Sequence, residues 1–365
     1  MSLVLIAGIF LLAFANGAND NFKGVATLWG TGRYGYRKLL IFATICALAG
    51  SAFAIYVSAG LVKVFSGGQF LSSAASLNPV FPTAVGLGAA ATVLLATWLG
   101  APISTTHALT GALLGAGAVS GGIAQVKWAT AASSIALPLL VSPLLAVALT
   151  LGVFPLISRW LASRNCICVT EPEPAMLATA AAAGVAMNSG GGVPAIRLGA
   201  ESECEQTGET TVSTLEESIH WTSAGAICFS RTMNDTPKIA ALVLTARLAG
   251  PTGGFLMVGA LMAVGGLVAA KSVARTMSQK VTKIDPIGGM SANLVAALLV
   301  GVASRFGVPV STTHVTMGGI FGVGLRRREQ TNWKMVTQIV LAWLITMPIG
   351  LICGSAAQFA LSAAR

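Results

Sequence analysis

Amide, acidic and basic side chains lie close together inside an apolar segment near the start of the chain. Asn19, Asp20 and Lys23 interrupt a run that begins at Leu3 and is otherwise apolar enough to cross a bilayer. A charged group at membrane depth costs about 2.5–3.5 kcal/mol on insertion scales, so such groups usually mark an ion or substrate pathway. A carboxylate there can bind a hard cation such as Na⁺ or carry a proton, and an amide carbonyl can add another oxygen ligand.

The same residue types recur in the second half of the chain. Asn234, Asp235 and Lys238 repeat the spacing of the first copy, again inside an apolar segment. For a single copy, a capped helix start with Asn19 or Asp20 as the N-cap is an alternative interpretation. Two copies favour a functional pair. In that pair the lysines either balance the acids or contact an anion directly.

Each half also carries a block of hydroxyl residues shortly after a proline. A helix that begins there presents free N–H groups and the positive end of its dipole, which together bind an oxyanion. The hydroxyls add donors on several faces of that anion. Ordinary helix capping is the alternative interpretation. The block after Pro102 holds Ser104, Thr105 and Thr106, and the block after Pro309 holds Ser311, Thr312 and Thr313.

A histidine closes each hydroxyl block. His107 and His314 could relay protons, because histidine titrates near neutral pH. A structural role, with the ring donating to a backbone carbonyl, is favoured because both would lie one turn inside a helix. His220 stands unpaired at the mouth of an apolar segment and receives no role.

The composition is that of a polytopic membrane protein. Hydrophobic residues make up 55% of the 365 residues, charged residues only 9%, and the mean hydropathy is +0.79. Soluble domains carry about a quarter charged residues. The net charge of +10 lies mostly at the ends of apolar segments, which argues against nucleic-acid binding. Cys166, Cys168 and Cys204 lack a usual zinc spacing, so no metal other than Na⁺ is predicted.

The apolar segments divide into two ordered sets. We predict an all-α polytopic membrane protein with two inverted-topology repeats, discontinuous helices and about 10–12 transmembrane segments. The repeats are residues 1–162 and 219–365, and a cytoplasmic polar linker occupies 163–218. The predicted segments are Ser2–Thr31 (broken at Gly17–Asp20), Leu39–Val62, Thr83–Leu99, Ile103–Gly122, Ala129–Leu161, His220–Leu248 (broken near Asn234), Thr252–Ala270, Met290–Phe306, Pro309–Leu325 and Trp333–Leu361.

The basic residues indicate the orientation of these segments. An odd number of crossings per half makes the repeats antiparallel, provided that Ile103–Gly122 and Pro309–Leu325 each complete a crossing. With both termini outside, thirteen lysines and arginines flank the segments on the cytoplasmic side and far fewer flank them outside. This asymmetry is the expected positive-inside pattern.

The paired motifs resemble the inorganic phosphate transporter (PiT) family over nearly the whole chain apart from the linker. The resemblance rests on the Gly-Ala-Asn-Asp segment at 17–20, the second Asn-Asp pair and the two Pro-x-Ser-Thr-Thr-His blocks. It implies cation-coupled import of inorganic phosphate across a plasma or inner membrane by a homodimer. It assigns the cation to Asn19, Asp20, Asn234 and Asp235. It assigns phosphate or cations to the six hydroxyl residues. Lys23 and Lys238 are added to the substrate site because an ammonium can contact an anion directly.

One departure from the family pattern keeps the coupling ion open. The commoner family sequence is Asn-Asp-Val-Ala-Asn, and Lys23 and Lys238 stand where its last Asn would be. Two ammonium groups could replace bound Na⁺, so Na⁺ and H⁺ are both kept as candidates for the coupling ion. Sulfate is the alternative substrate, because the family includes sulfate permeases, and an anion channel is a further alternative. The sequence contains no Walker loop, His-Glu-x-x-His motif or nucleophile elbow, so no enzyme is predicted.

Overall fold

Helices fill the apolar sequence, as the all-α membrane fold predicts. The computed structural model describes residues 2–71, 80–162, 166–170, 195–199, 206, 210–212, 214–281, 284–326 and 331–364. The helices before the linker are α1 (Ser2–Asp20), α2 (Ala26–Gly30), α3 (Tyr36–Val57), α4 (Ala59–Phe65), α5 (Phe81–Trp98), α6 (Thr105–Gly121), α7 (Trp128–Ala131) and α8 (Leu137–Ala162). The later helices are α9 (Thr214–Thr245), α10 (Pro251–Ala269), α11 (Lys271–Gln279), α12 (Pro286–Arg305), α13 (Thr312–Arg326) and α14 (Trp333–Ala363).

Six helical segments of the described chain are long and apolar enough to cross a membrane. They are Tyr36–Val57, Phe81–Trp98, Trp128–Leu161, Pro251–Ala269, Pro286–Arg305 and Trp333–Ala363. The third includes a π-helical stretch at Ala132–Ala136 between α7 and α8. α6 and α13 have 17 and 15 residues, whereas a full span takes about 20. The larger number of crossings and the inverted orientation of the repeats stay predictions.

The two motif segments differ in their backbone. α1 ends at Asp20, and a 3₁₀ turn at Lys23–Val25 follows, so the predicted break in the first half is present. The predicted break near Asn234 is wrong, because α9 runs through it without interruption. Pro237 has no N–H for the carbonyl of Met233. Ser58 Oγ donates to that carbonyl at 3.1 Å instead, which lets the helix continue.

A close crossing of α1 and α10 fixes the position of the first motif. α1 packs against α5 and α10, with Ile9, Leu12 and Ala13 fully buried. A Cβ atom on Gly17 would lie 1.8 Å from the carbonyl oxygen of Met262, and one on Gly265 would lie 1.9 Å from that of Phe14. Only glycine permits this approach, which places the end of α1 in the protein interior.

We therefore expect Gly265→Val to destabilise the protein strongly, by more than the ~1–3 kcal/mol typical of overpacking, because the clash is with backbone. Gly253→Val in the first turn of the same helix is the matched control, since a Cβ there meets only the Cβ of Ala249 at 3.6 Å. Thermal unfolding midpoints of the three purified proteins check the expectation. Equal midpoints for the two variants would contradict it.

The polar linker contains regular structure that the sequence did not suggest. β1 (Cys166–Thr170) pairs antiparallel with both β2 (Ala195–Gly199) and β3 (Thr210–Val212) in a three-stranded sheet. The strands are short and partly β-branched, so the surrounding low-complexity sequence hides their pattern. Residues 155–219 form one compact unit, and residues 1–154 with 220–365 form another. Cys204 lies outside the described residues, and the division into repeats and linker stays a prediction.

Candidate functional site

The ammonium group of Lys23 lies inside a cage of oxygen atoms. Lys23 is 1% exposed, and its Nζ donates to the carboxylate of Asp20, to the backbone carbonyl of Ile103 at 2.9 Å and to Thr313 Oγ1 at 2.5 Å. The hydroxyl comes from the other half of the chain. A side chain that snorkelled to the membrane surface would extend its Nζ into water. The burial of Lys23 therefore argues against the role of a simple interfacial anchor.

Lys238 makes the equivalent contacts from the second half. Its Nζ donates to Asp235 Oδ1 at 3.0 Å, to the carbonyl of Val310 at 2.9 Å and to Thr106 Oγ1 at 2.7 Å. Lys238 is 2% exposed. Each lysine thus uses the acid and a carbonyl of its own half and a hydroxyl of the other. A carboxylate, a carbonyl and a hydroxyl are also the ligand types that a hard cation prefers.

The carbonyl ligands are available because the chain is not helical just before α6 and α13. Gly100 and Gly307 adopt positive φ angles of 70° and 67° at the ends of α5 and α12. Bonds from Ala101 N to Ala96 O and from Val308 N to Ala303 O complete the helix ends, as expected for a Schellman motif. The following extended residues leave the carbonyls of Ile103 and Val310 free for the lysines.

Ser104 and Ser311 have the capping role that was the alternative to substrate binding. The hydroxyl of Ser104 accepts from the backbone N–H of His107 at 3.1 Å, and that of Ser311 accepts from His314 N at 3.1 Å. Both helices therefore begin at the threonine that follows. A capping hydroxyl keeps its own hydrogen, so each serine still has a donor to offer.

The remaining hydroxyl residues contact the motif acids. Thr105 Oγ1 donates to Asp20 Oδ2 at 3.4 Å, and Thr312 Oγ1 donates to Asp235 Oδ2 at 3.1 Å. Thr106 helps to line a narrow void with Thr105, Asp235 and Lys238. The void has no room for a water molecule, so a tetrahedral oxyanion could enter only if its walls moved apart.

The motif asparagines are held by hydroxyls that the sequence did not single out. Asn19 Nδ2 donates to Thr97 Oγ1 at 2.9 Å, and Asn234 Nδ2 donates to Ser304 Oγ at 2.8 Å. Thr97 and Ser304 lie at equivalent places near the ends of α5 and α12. The Oδ1 atoms of both asparagines are buried and accept no hydrogen bond from the described residues. These two carbonyl oxygens are available to a cation.

Arg231 is a further charged residue that was missed. It lies on α9 four residues before Asp235, is 1% exposed, and places its Nη1 3.9 Å from Asp235 Oδ2. Asn16 takes the corresponding place before Asp20, and its Nδ2 donates to Asp20 Oδ2 at 3.2 Å. An arginine inside an apolar segment is a detectable signal in the sequence. The repeated motif does not include it, because the corresponding residue of the first half is Asn16.

The two block histidines meet where the two halves join. The ring centroids of His107 and His314 are 4.5 Å apart, and His314 stacks on Trp343 at 3.9 Å. An apolar cavity of about 480 Å³ adjoins them. The Nδ1 atom of His107 makes no hydrogen bond to the described residues. The expected donation from the ring to a backbone carbonyl is therefore not made by this nitrogen.

His220 is also buried, contrary to its expected place at a segment mouth. Its Nε2 lies 3.0 Å from Thr27 Oγ1, which in turn accepts from Asn293 Nδ2 at 2.8 Å. The three residues come from α9, α2 and α12, so the interaction joins elements that are distant in sequence. The residues next to His220 in the sequence gave no indication of these partners.

Comparison with known proteins places this geometry in a family. The sequence model of the phosphate transporter family matches residues 16–354. The chain belongs to this family. It is 26% identical to inorganic phosphate transporter 2-1, chloroplastic, of Arabidopsis thaliana, with 93% of this chain and 69% of that protein aligned. It is also 26% identical to a probable low-affinity inorganic phosphate transporter of Rhizobium meliloti (strain 1021), over 98% of this chain and 95% of that one.

A solved structure supports the same fold for this phosphate transporter family member. The structure titled "The sodium-dependent phosphate transporter" covers 100% of both chains with a TM-score of 0.76 at 22% identity. The match to the family model confirms the family and the prediction of a transporter in place of an enzyme, and the solved structure confirms the fold. The resemblance derived from the paired motifs was correct.

Proposed function

We propose that this protein imports inorganic phosphate by cation symport, with Lys23 and Lys238 supplying part of the positive charge that bound cations would otherwise supply. The observation that carries the proposal is the oxygen cage around each buried ammonium. A cage of this kind in a phosphate transporter is suited to a coupling cation. An ammonium held there neutralises the adjacent aspartate permanently, so fewer mobile cations are needed for each transported anion.

The role proposed for each residue is based on its contacts. Asp20 and Asp235, with the free carbonyl oxygens of Asn19 and Asn234, form the cation sites. The helix starts at 104–106 and 311–313 contribute hydroxyl and N–H donors to phosphate. Lys23 and Lys238 connect the two sets, because each ammonium already contacts both a carboxylate and a block threonine.

The function is tested by uptake into proteoliposomes that contain only the purified protein. Radiolabelled phosphate and sulfate are supplied separately, with an inward Na⁺ gradient, an inward proton gradient or neither. We expect phosphate to accumulate above equilibrium with one of the gradients and sulfate to be excluded. Uptake of sulfate alone would identify a sulfate permease. Flux that equilibrates phosphate without responding to either gradient would contradict symport and indicate an anion channel.

We further propose a homodimer in the plasma or inner membrane, with both termini outside and the 163–218 linker in the cytoplasm. The orientation is supported by the excess of basic residues that it places on the cytoplasmic side. The segments Trp128–Leu161 and Trp333–Ala363 are suited to contact lipid or a second copy, since only 22% and 28% of their apolar stretches are buried.

Labelling of Cys204 tests the orientation. We expect an impermeant thiol reagent added to intact cells to leave Cys204 unlabelled and to label it after the membrane is permeabilised, because the linker is placed inside. A variant that keeps only Cys204, made by replacing the other five cysteines, allows the label to be assigned by mass. Labelling in intact cells would show that the linker lies outside and that the proposed orientation is wrong.

A further inference from the structure

The contacts of the two halves correspond closely around the motif acids, with one difference in charge. Each lysine, block threonine and motif asparagine has a counterpart that makes the same type of bond. The position four residues before the acid breaks this correspondence, because it is Asn16 in the first half and Arg231 in the second. Arg231 therefore adds a positive charge that has no equivalent on the other side.

The guanidinium of Arg231 is buried with most of its donors unused. Its strongest contacts are Nη2 to Asn21 Oδ1 at 3.4 Å and the 3.9 Å approach to Asp235. Nε and Nη1 donate to none of the described residues. A buried guanidinium whose N–H groups lack acceptors is unfavourable unless a further partner binds it.

The charges of the cluster show which kind of partner is required. Asp20 is paired with Lys23, and Asp235 is paired with Lys238. Arg231 is then the charge in excess, and the five groups carry a formal charge of +1. An excess cation in the protein interior requires an anion. The planar fork of arginine matches two oxygens of a tetrahedral oxyanion.

We propose that Arg231 binds the transported oxyanion directly through its unused N–H groups. This inference rests on the proposed function and adds a substrate-contacting residue to it. The anion lies beside Asp235, between the guanidinium of Arg231 and the hydroxyl of Thr312, both of which lie near Asp235 Oδ2. It has room there only when the walls of the adjoining narrow void, lined by Thr106 and Lys238, move apart. Phosphate then neutralises the excess charge, and no additional cation needs to enter with it for this purpose.

Arg231→Gln and Arg231→Lys test the proposal in proteoliposomes. We expect Arg231→Gln to raise KM for phosphate on the order of 30-fold or more, because a buried charged partner of the anion is lost. Arg231→Lys keeps the charge but loses the fork, so we expect an intermediate KM. Arg305→Gln removes an exposed arginine at the end of α12 and is the matched control, with an unchanged KM expected.

Binding to the purified proteins separates this role from a structural one. Phosphate should raise the thermal midpoint of the parent and of Arg305→Gln, and Arg231→Gln should lose this increase even where its own midpoint is normal. If Arg231→Gln does not fold, the intermediate KM of Arg231→Lys carries the test. An unchanged KM in the variants that fold would overturn the proposal while leaving phosphate transport intact. A parent that transports no phosphate would instead overturn the proposed function.

Discussion

Asp20→Asn and Asp235→Asn are each expected to abolish phosphate uptake while the protein still inserts into the membrane. Each carboxylate pairs with a buried ammonium and accepts a bond from a block threonine. An asparagine there leaves the ammonium without its counter-charge, and breaking a buried pair costs about 3–5 kcal/mol. That loss corresponds to more than about a hundredfold in an equilibrium constant. It also removes the carboxylate that the coupling cation would use.

The measurement is initial uptake of radiolabelled phosphate at equal amounts of protein in the membrane. Asp285→Asn is the matched control, because Asp285 is the N-cap of α12 and asparagine caps a helix equally well. We expect this variant to transport normally. Near-normal uptake by both Asp20→Asn and Asp235→Asn would remove these acids from the mechanism.

Lys23→Asn and Lys238→Asn are expected to change what transport depends on. Each substitution leaves a carboxylate, a backbone carbonyl and a threonine hydroxyl without their cation. The aspartate should then recruit Na⁺ or a proton in place of the ammonium. We therefore expect transport to be reduced. We also expect it to depend more strongly on external Na⁺ or on acid pH than transport by the parent does.

Uptake against Na⁺ concentration at two pH values measures this change. Lys63→Asn provides the comparison, since Lys63 is exposed on α4 and should leave the Na⁺ and pH dependence of the parent unaltered. If both buried-lysine variants also keep the ion dependence of the parent, the lysines are structural groups and do not substitute for cations.

The recurrence of the motifs in both halves made much of the site predictable from the sequence. Asp20, Lys23 and Thr106 have counterparts in the second half, and a pattern that occurs twice in order is stronger evidence than either copy alone. Arg231 escaped because its counterpart is an asparagine. The roles of Thr97 and Ser304 were not predicted, because a hydroxyl near a helix end is common and becomes informative only when its partner is known.

The backbone was less predictable than the side chains that it carries. Pro237 inside an apolar segment ordinarily predicts a break. The helix continues because Ser58, far away in sequence, satisfies one freed carbonyl. His220 shows the same limit, since its hydrogen-bonding partner Thr27 lies on another helix. Such contacts depend on the packing of distant segments, which local patterns do not encode.

The exchange of threonines between the halves has a consequence for how such a site arises. The hydroxyl for Lys23 comes from Thr313, and the hydroxyl for Lys238 comes from Thr106. Neither half alone holds the complete set of oxygen ligands for its own lysine. A single half could therefore form such a site only together with a second chain. In one chain the two positions can differ, so one holds Arg231 while the other holds Asn16, and the charge of the site is unequal between the halves.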